Sequence, residues 1–256
     1  MRPWANPVFR EAVAVYWEEG QAGVSYLFYV VLLGALQVLA LVLPSGEARF
    51  WIGPAFLFKF TVVAALLLIV YLTLRFAGLE FLAWRFSPLR HWFEEERLGV
   101  VAVASGLLSI LVVHGLILLL LAAPLLAWSG AIARAPLGDM ASIVPMLFLY
   151  AVGYGVWGLV GLAMWERKPD SRRVFIRWIF VCFFLISGAF GAWAQTLNPV
   201  AFLLYHLGTL EMTATPVRWG LLWTPPLVHW TFQGLVFAVG LALLARGLKR
   251  IQKGYS

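Results

Sequence analysis

The chain has little charge and almost no cysteine. Of its 256 residues only 12% are charged, whereas 62% are hydrophobic. A water-soluble domain carries about 25% charged residues, so this composition excludes a soluble enzyme and a disordered chain. The single cysteine, Cys182, excludes an internal disulfide and a cysteine-rich metal site. The composition therefore indicates a multi-pass membrane protein.

Motifs for catalysis and nucleotide binding are also missing. We find no Gly-x-x-x-x-Gly-Lys-Ser/Thr phosphate loop, no carboxylate pair and no Ser/His/Asp set, and the four histidines form no close cluster with acids that could bind a metal. The net charge of +7 is typical of a membrane protein with basic cytoplasmic loops. We therefore expect neither a nucleic-acid partner nor a cofactor on this chain.

Six apolar runs approach or exceed the roughly 20 residues that a membrane-spanning helix needs. Backbone polar groups must be satisfied internally in lipid, so the runs are expected to be helices. The sequence thus predicts an all-α integral membrane protein with six transmembrane helices. The runs are residues 26–43, 51–76, 100–128, 141–165, 174–194 and 227–245.

The distribution of basic residues predicts the orientation. If the N-terminus is cytoplasmic, all but four of the 19 lysines and arginines lie on the cytoplasmic side, and the four exceptions are Arg49, Lys59, Arg134 and Arg218. Cytoplasmic loops carry the excess of these residues. We therefore predict a multi-pass protein of the cell (inner) membrane with both termini in the cytoplasm.

Residues 6–20 predict an amphipathic helix that is too short to span the membrane. Asn6 is suited to cap it, Pro7 fits the first helical position, and Gly20 can end it. Its apolar residues recur at helical spacing on one face. We expect this helix to lie in the cytoplasmic interface.

Residues 78–99 form the longest polar segment on the predicted cytoplasmic side. Ser87 is expected to cap a short helix that begins at Pro88, and Arg90 and Glu94 are spaced to form an ion pair. The segment is either a solvated connection or a docking element for a cytoplasmic partner. The second polar loop, residues 166–173, is expected only to anchor the topology.

The predicted outer segment, residues 195–226, contains a further short helix. Asn198 and Pro199 are suited to begin it and Gly208 to end it, so it has about ten residues. Such a helix is too short to span and too apolar to lie in water, which favours a re-entrant or interfacial position.

Four stretches follow one another in an order known from one family. They are NPVFRE at 6–11, LEFLAWRFSPLR at 79–90, APLLAW at 123–128 with PLGD at 136–139, and LNPVAFLL at 197–204. In this order the chain resembles the membrane (permease) subunit of type-2 ATP-binding-cassette exporters. The family's Thr-Pro is replaced by a shifted Ser87-Pro88, which implies a docking contact that differs in detail or a specialised partner.

The resemblance implies one transmembrane permease domain over residues 1–256. Its parts would be an elbow helix at 1–25, spans one and two in 26–76, a cytoplasmic coupling segment at 77–99, spans three to five in 100–195, an outer re-entrant segment at 196–226, and span six with a cytoplasmic tail at 227–256.

The resemblance also implies how the work is divided between chains. This chain would be non-catalytic and would form half of the translocation pathway, with a second copy or a similar permease chain as the other half. ATP and Mg²⁺ would bind a separate cytoplasmic ABC ATPase. The implied coupling contact is Phe86, Ser87, Pro88, Leu89, Arg90, His91, Trp92, Phe93 and Glu94. The implied elbow contacts are Arg10, Glu11, Glu18 and Glu19.

Polar residues within the apolar runs are candidates for the pathway, because each is costly in lipid. Lys59 lies about eight residues into the second run and His114 lies in the middle of the third. Lys59 either extends to the outer headgroups or lines a path, and His114 is either a hydrogen-bonded packing residue or a functional one. Glycines of the fourth run are expected to allow close helix packing.

Three other functions stay open on the sequence. The chain is alternatively a membrane anchor that recruits an ATPase to an envelope machine, a permease of the haem-exporter type, or an intramembrane enzyme with His114 or His206 as a base. An exporter needs a continuous path between its two halves, whereas an anchor does not.

Overall fold

The computed structural model describes residues 3–18, 21–42, 54–80, 86–186, 191–212, 215–216 and 222–254. In these ranges the regular structure is helical, apart from an antiparallel pair of two-residue strands, β1 (Thr215–Pro216) and β2 (Leu222–Trp223). Within them, five helices are long and apolar enough to cross a membrane. The chain is therefore a helical protein with the features of a multi-pass membrane protein.

The five long helices are α2 (Gln21–Val42), α3 (Leu57–Arg75), α5 (Val100–Ala133), α6 (Leu137–Met164) and α10 (Pro225–Gln252). A 3₁₀ turn precedes α3 and a π-helical turn, Phe76–Glu80, follows it. At 34 residues, α5 is about 51 Å long. This exceeds the roughly 30 Å of the bilayer core, so α5 extends beyond the core or crosses it at a tilt.

The predicted fifth span is described only in part. Helix α7 (Pro169–Phe180) continues as a π-helix, Val181–Ile186, and α8 (Gly191–Leu197) follows. Residues 187–190 lie outside the described ranges, so a sixth span stays a prediction. Helix α9 (Pro199–His206) comes directly after α8.

Two short helices pack at one end of the long ones. Helix α1 (Pro7–Glu18) and helix α4 (Leu89–Glu94) share an apolar cluster with the start of α5 and the last turns of α6 and α10. A second apolar cluster joins α2, α3, α9 and the opposite halves of α5 and α6. The segments predicted to be cytoplasmic are therefore neighbours at one end of the molecule.

Glycines of α6 allow α3 to approach closely, as the sequence predicts. A Cβ atom at Gly158 would lie 2.6 Å from the carbonyl oxygen of Leu74 and 2.8 Å from the Cβ of Ala77. At Gly155 it would lie 2.7 Å from Cγ2 of Thr73. Because the Leu74 oxygen belongs to the backbone and cannot move aside, position 158 requires glycine for packing. A Cβ at position 155 would require the side chains of Thr73 and Leu111 to shift.

Candidate functional site

Helix α1 is fastened to the beginning of α5 by Asn6. The side-chain Oδ1 of Asn6 accepts the N–H of Val8 at 3.0 Å, which is the predicted N-cap, and Nδ2 donates to the carbonyl of Ala102 at 2.7 Å. Nδ2 also approaches the hydroxyl of Ser105 at 3.2 Å. The N-terminal helix is therefore held in a fixed position on the long helices.

The apolar face of α1 packs against protein. Its side chains Val8, Phe9, Ala12 and Tyr16 are buried within the cluster that includes α4 and α5. Neighbouring helices cover this face. That α1 lies in the cytoplasmic interface stays a prediction. Arg10 is exposed and Glu11 is half-buried, whereas the side chain of Glu18 and the whole of Glu19 lie outside the described part.

The short helix of the coupling segment, α4, begins one residue later than the sequence predicts. Pro88 is the N-cap and Leu89 the first residue of α4. The ψ angle of Pro88 is 147°, so its own backbone is extended, and no side-chain cap is formed. The expected cap by Ser87 is therefore wrong.

Two carboxylates from distant parts of the chain bind backbone N–H groups just before and at the start of α4. The backbone N–H of Ser87 donates to Oε1 of Glu11 at 2.5 Å, and the N–H of Leu89 donates to Oε1 of Glu166 at 2.5 Å. The first N–H groups of a helix have no intrahelical acceptor, and a carboxylate also suits the positive end of the helix dipole. The coupling segment is thus joined to α1 and to the loop after α6.

Within the coupling segment, burial separates anchoring from exposed residues. Phe86, Leu89, Trp92 and Phe93 are buried and fasten α4 to the apolar cluster. The polar side chains turn outward and form a surface that we call the docking face. It consists of Pro88, Arg90, His91, Glu94 and Glu95.

The docking face carries charges of both signs. Arg90 pairs with Glu94, as the spacing predicts, and Nδ1 of His91 lies 3.1 Å from a carboxylate oxygen of Glu95. A cavity of about 440 Å³ lies between this face, Glu166 and Arg167. Exposed ion pairs add little stability, so these charges are available to recognise another surface.

The loop at 165–168 has a structural role that its sequence did not indicate. Arg172 is 4% exposed, and its Nη1 donates to the carbonyl of Glu166 at 2.7 Å. Burial lowers the pKa of Arg172, and the negative charge of Glu166 raises it. The expectation that this loop only anchors the topology is therefore too narrow, because Glu166 and Arg172 connect α4, α6 and α7.

The two candidate pathway residues lie in different surroundings. Lys59 is half-buried in the first turn of α3, because the helix begins only at Leu57. Lys59 therefore lies nearer the end of its span than the predicted depth of about eight residues. His114 is buried, stacks on Phe76 at 4.0 Å, and its Nδ1 lies 3.0 Å from the hydroxyl of Tyr26. These contacts favour the packing interpretation, although the buried Nε2 has no hydrogen-bond partner among the described residues. A role in the pathway stays a prediction.

At the opposite end, Asn198 and Pro199 begin α9 as predicted. Oδ1 of Asn198 accepts the N–H of Ala201 at 2.9 Å, and Pro199 occupies the first turn. Gly208 has a φ of 63°, and the N–H of Thr209 bonds to the carbonyl of Leu204 at 2.8 Å, which is a Schellman end. Whether α9 is re-entrant stays a prediction.

His229 is a buried polar residue in the second turn of α10. Its Nδ1 lies 2.7 Å from the carbonyl of Thr196, so this nitrogen carries the proton. Nε2 then accepts from the hydroxyl of Tyr150 at 2.6 Å, and the ring stacks on Phe202 at 3.9 Å. His229 thus joins α6, α8, α9 and α10. His206 is exposed and contacts Ser142 instead.

Comparison with known proteins adds no family to this picture. No protein-family model matches the chain, and neither a curated protein nor a solved structure is significantly similar to it. The class of the protein accordingly rests on its own helices, which are those of a multi-pass membrane protein.

Proposed function

We propose that this chain is the permease subunit of an ABC exporter, located in the inner membrane with both termini cytoplasmic. In this proposal it has six spans, α1 is the elbow helix, α4 is the coupling helix, and α9 is re-entrant. The chain forms half of a translocation pathway with a second permease, and a separate ATPase binds the docking face.

One observation carries the proposal. The coupling segment is joined by Glu11 to the N-terminal helix and by Glu166 to the loop between α6 and α7. A six-residue helix is too short to be stable alone, so these bonds and its buried aromatic residues determine its position. A displacement of the docking face by a bound partner would therefore be transmitted to α1, α6 and α7 together. Small shifts of packed helices are an established means of switching between two states.

The charge pattern supports a protein partner at this surface. Arg90, Glu94 and Glu95 place both signs of charge on an exposed face above a buried aromatic base. Complementary charges at an interface favour the correct partner and speed its association. A solvated connection would need neither the hydrogen bonds to Glu11 and Glu166 nor the buried aromatic residues beneath the charges.

Affinity purification from mild detergent tests the proposal. The full chain should retain a stoichiometric cytoplasmic protein that hydrolyses ATP. The double variant Arg90→Ala/Glu94→Ala removes an exposed ion pair from the docking face and should lose this protein. The matched control is Arg173→Ala/Asp170→Ala, which removes an exposed pair from α7 and should retain it.

Two results would contradict the permease proposal. A chain that purifies without an ATPase has no energy source of the proposed kind. A bound ATPase without solute movement in reconstituted vesicles would identify a membrane anchor instead of an exporter.

A further inference from the structure

A basic cavity lies where the last turns of α6 and α10 meet the loop after α6. Its volume is about 310 Å³, which corresponds to roughly ten water molecules. We call it the basic cavity. Ala163, Met164 and Ile251 form the apolar part of its lining, which we call the floor. Trp165, Lys168 and Arg250 contribute polar groups to the lining.

Two positive charges at the basic cavity have no acidic partner among the described residues. Lys168 and Arg250 are exposed, and neither forms an ion pair in the part of the chain that the structure describes. Arg167 also lines the basic cavity, but it borders the cavity beside Glu94 and Glu95 as well. The one acidic residue in the lining is Glu166, and its carboxylate accepts the N–H of Leu89.

The walls of the basic cavity are held in place from several directions. Arg172 donates to the carbonyl of Glu166, and the ring of Trp165 lies 5.1 Å from that of Phe175. A Cβ atom at Gly247 would lie 2.9 Å from the Cβ of Ala163, so α10 and α6 are in close contact beside the cavity. The site is therefore formed by the fold rather than by loose surface side chains.

We infer that the basic cavity binds the phosphate headgroup of an anionic phospholipid. Basic pockets between spans on the cytoplasmic side suit such headgroups, and tryptophan favours the depth at which headgroups lie. The apolar floor is suited to the glycerol and the first methylene groups of the lipid. This inference rests on the proposed orientation, with this end of the molecule cytoplasmic, and it is independent of the proposed exporter function.

Native mass spectrometry of the full chain in detergent tests the inference. The wild-type protein, titrated with phosphatidylglycerol or phosphatidylcholine, should retain the anionic lipid preferentially. The variant Lys168→Gln/Arg250→Gln should bind phosphatidylglycerol roughly tenfold to thirtyfold more weakly, since each basic residue near anionic lipid contributes about a fivefold factor. The control Lys249→Gln/Lys253→Gln removes two exposed charges outside the cavity lining and should bind like wild type.

Two further measurements distinguish a bound phospholipid from a bound free anion and from misfolding. The charge-conserving variant Lys168→Arg/Arg250→Lys should retain the lipid, which keeps the test valid if the glutamine variant folds poorly. Inorganic phosphate in millimolar excess should not displace the lipid, because it has no apolar part to contact the floor. Displacement by phosphate, equal loss in both glutamine variants, or equal retention of the two lipids would each overturn the inference.

Discussion

Replacement of Glu166 by alanine should loosen the coupling segment while leaving the long helices folded. The carboxylate of Glu166 accepts the N–H of Leu89 at 2.5 Å from outside the segment. A hydrogen bond to a charged group contributes about 1.5–3 kcal/mol. Glu166 is only half-buried, so solvent screening favours the lower part of this range, about 1.5–2 kcal/mol. The loss should be local, because the buried residues of α4 still hold it on the apolar cluster.

Hydrogen exchange followed by mass spectrometry measures this loss directly. A tenfold change corresponds to about 1.4 kcal/mol, so peptides covering residues 86–98 should exchange roughly tenfold to thirtyfold faster in Glu166→Ala. Glu166→Gln keeps an acceptor oxygen without the charge, and its peptides should exchange about threefold faster. Peptides from α3 and α5 should not change.

The matched control is Glu96→Gln, which removes one negative charge from an exposed position in the same segment. Its exchange should equal that of wild type. If Glu166→Ala also exchanges like wild type, the bond to Leu89 does not hold the segment, and the mechanical argument for the docking face fails.

Three further predictions concern packing and polar contacts. Gly158→Ala should destabilise the protein by about 1–3 kcal/mol, as measured by thermal unfolding in detergent. Gly153→Ala adds a Cβ where there is free space and should leave the stability unchanged. Equal effects of the two substitutions would contradict the packing argument. His229→Leu leaves the hydroxyl of Tyr150 without its partner and should cost about 1–3 kcal/mol, and restoration of stability by adding Tyr150→Phe would show that this hydroxyl is the cause. Asn198→Ala removes a cap and should cost about 1–2 kcal/mol; faster exchange confined to α9 is expected, and unchanged exchange there would refute the capping contribution.

Features that depend on neighbouring residues could be predicted from the sequence. Asn6 and Pro7 begin α1, and Asn198, Pro199 and Gly208 bound α9, because a cap is made within one turn of the helix it ends. The long apolar runs likewise predict long helices, since length and hydrophobicity are local properties.

Features that depend on tertiary contacts could not be predicted in this way. The start of α4 is fixed by Glu11 and Glu166, which lie 76 and 77 residues away along the chain, so local residues pointed to Ser87 instead. The burial of His229 likewise depends on Tyr150 and Thr196, which come from two other helices. The change from α-helix to π-helix after Phe180 occurs within an apolar run, where composition gives no signal.

Site-specific photo-crosslinking in intact cells tests the central claim most directly. A photoreactive amino acid in place of Glu95 lies on the docking face, and one in place of Leu137, which is 82% exposed, lies at the beginning of α6, away from that face. The account predicts an adduct between position 95 and a cytoplasmic protein that hydrolyses ATP, and no such adduct from position 137. Absence of that adduct at position 95, or its formation at both positions, would contradict the claim that this chain docks an ATPase through α4.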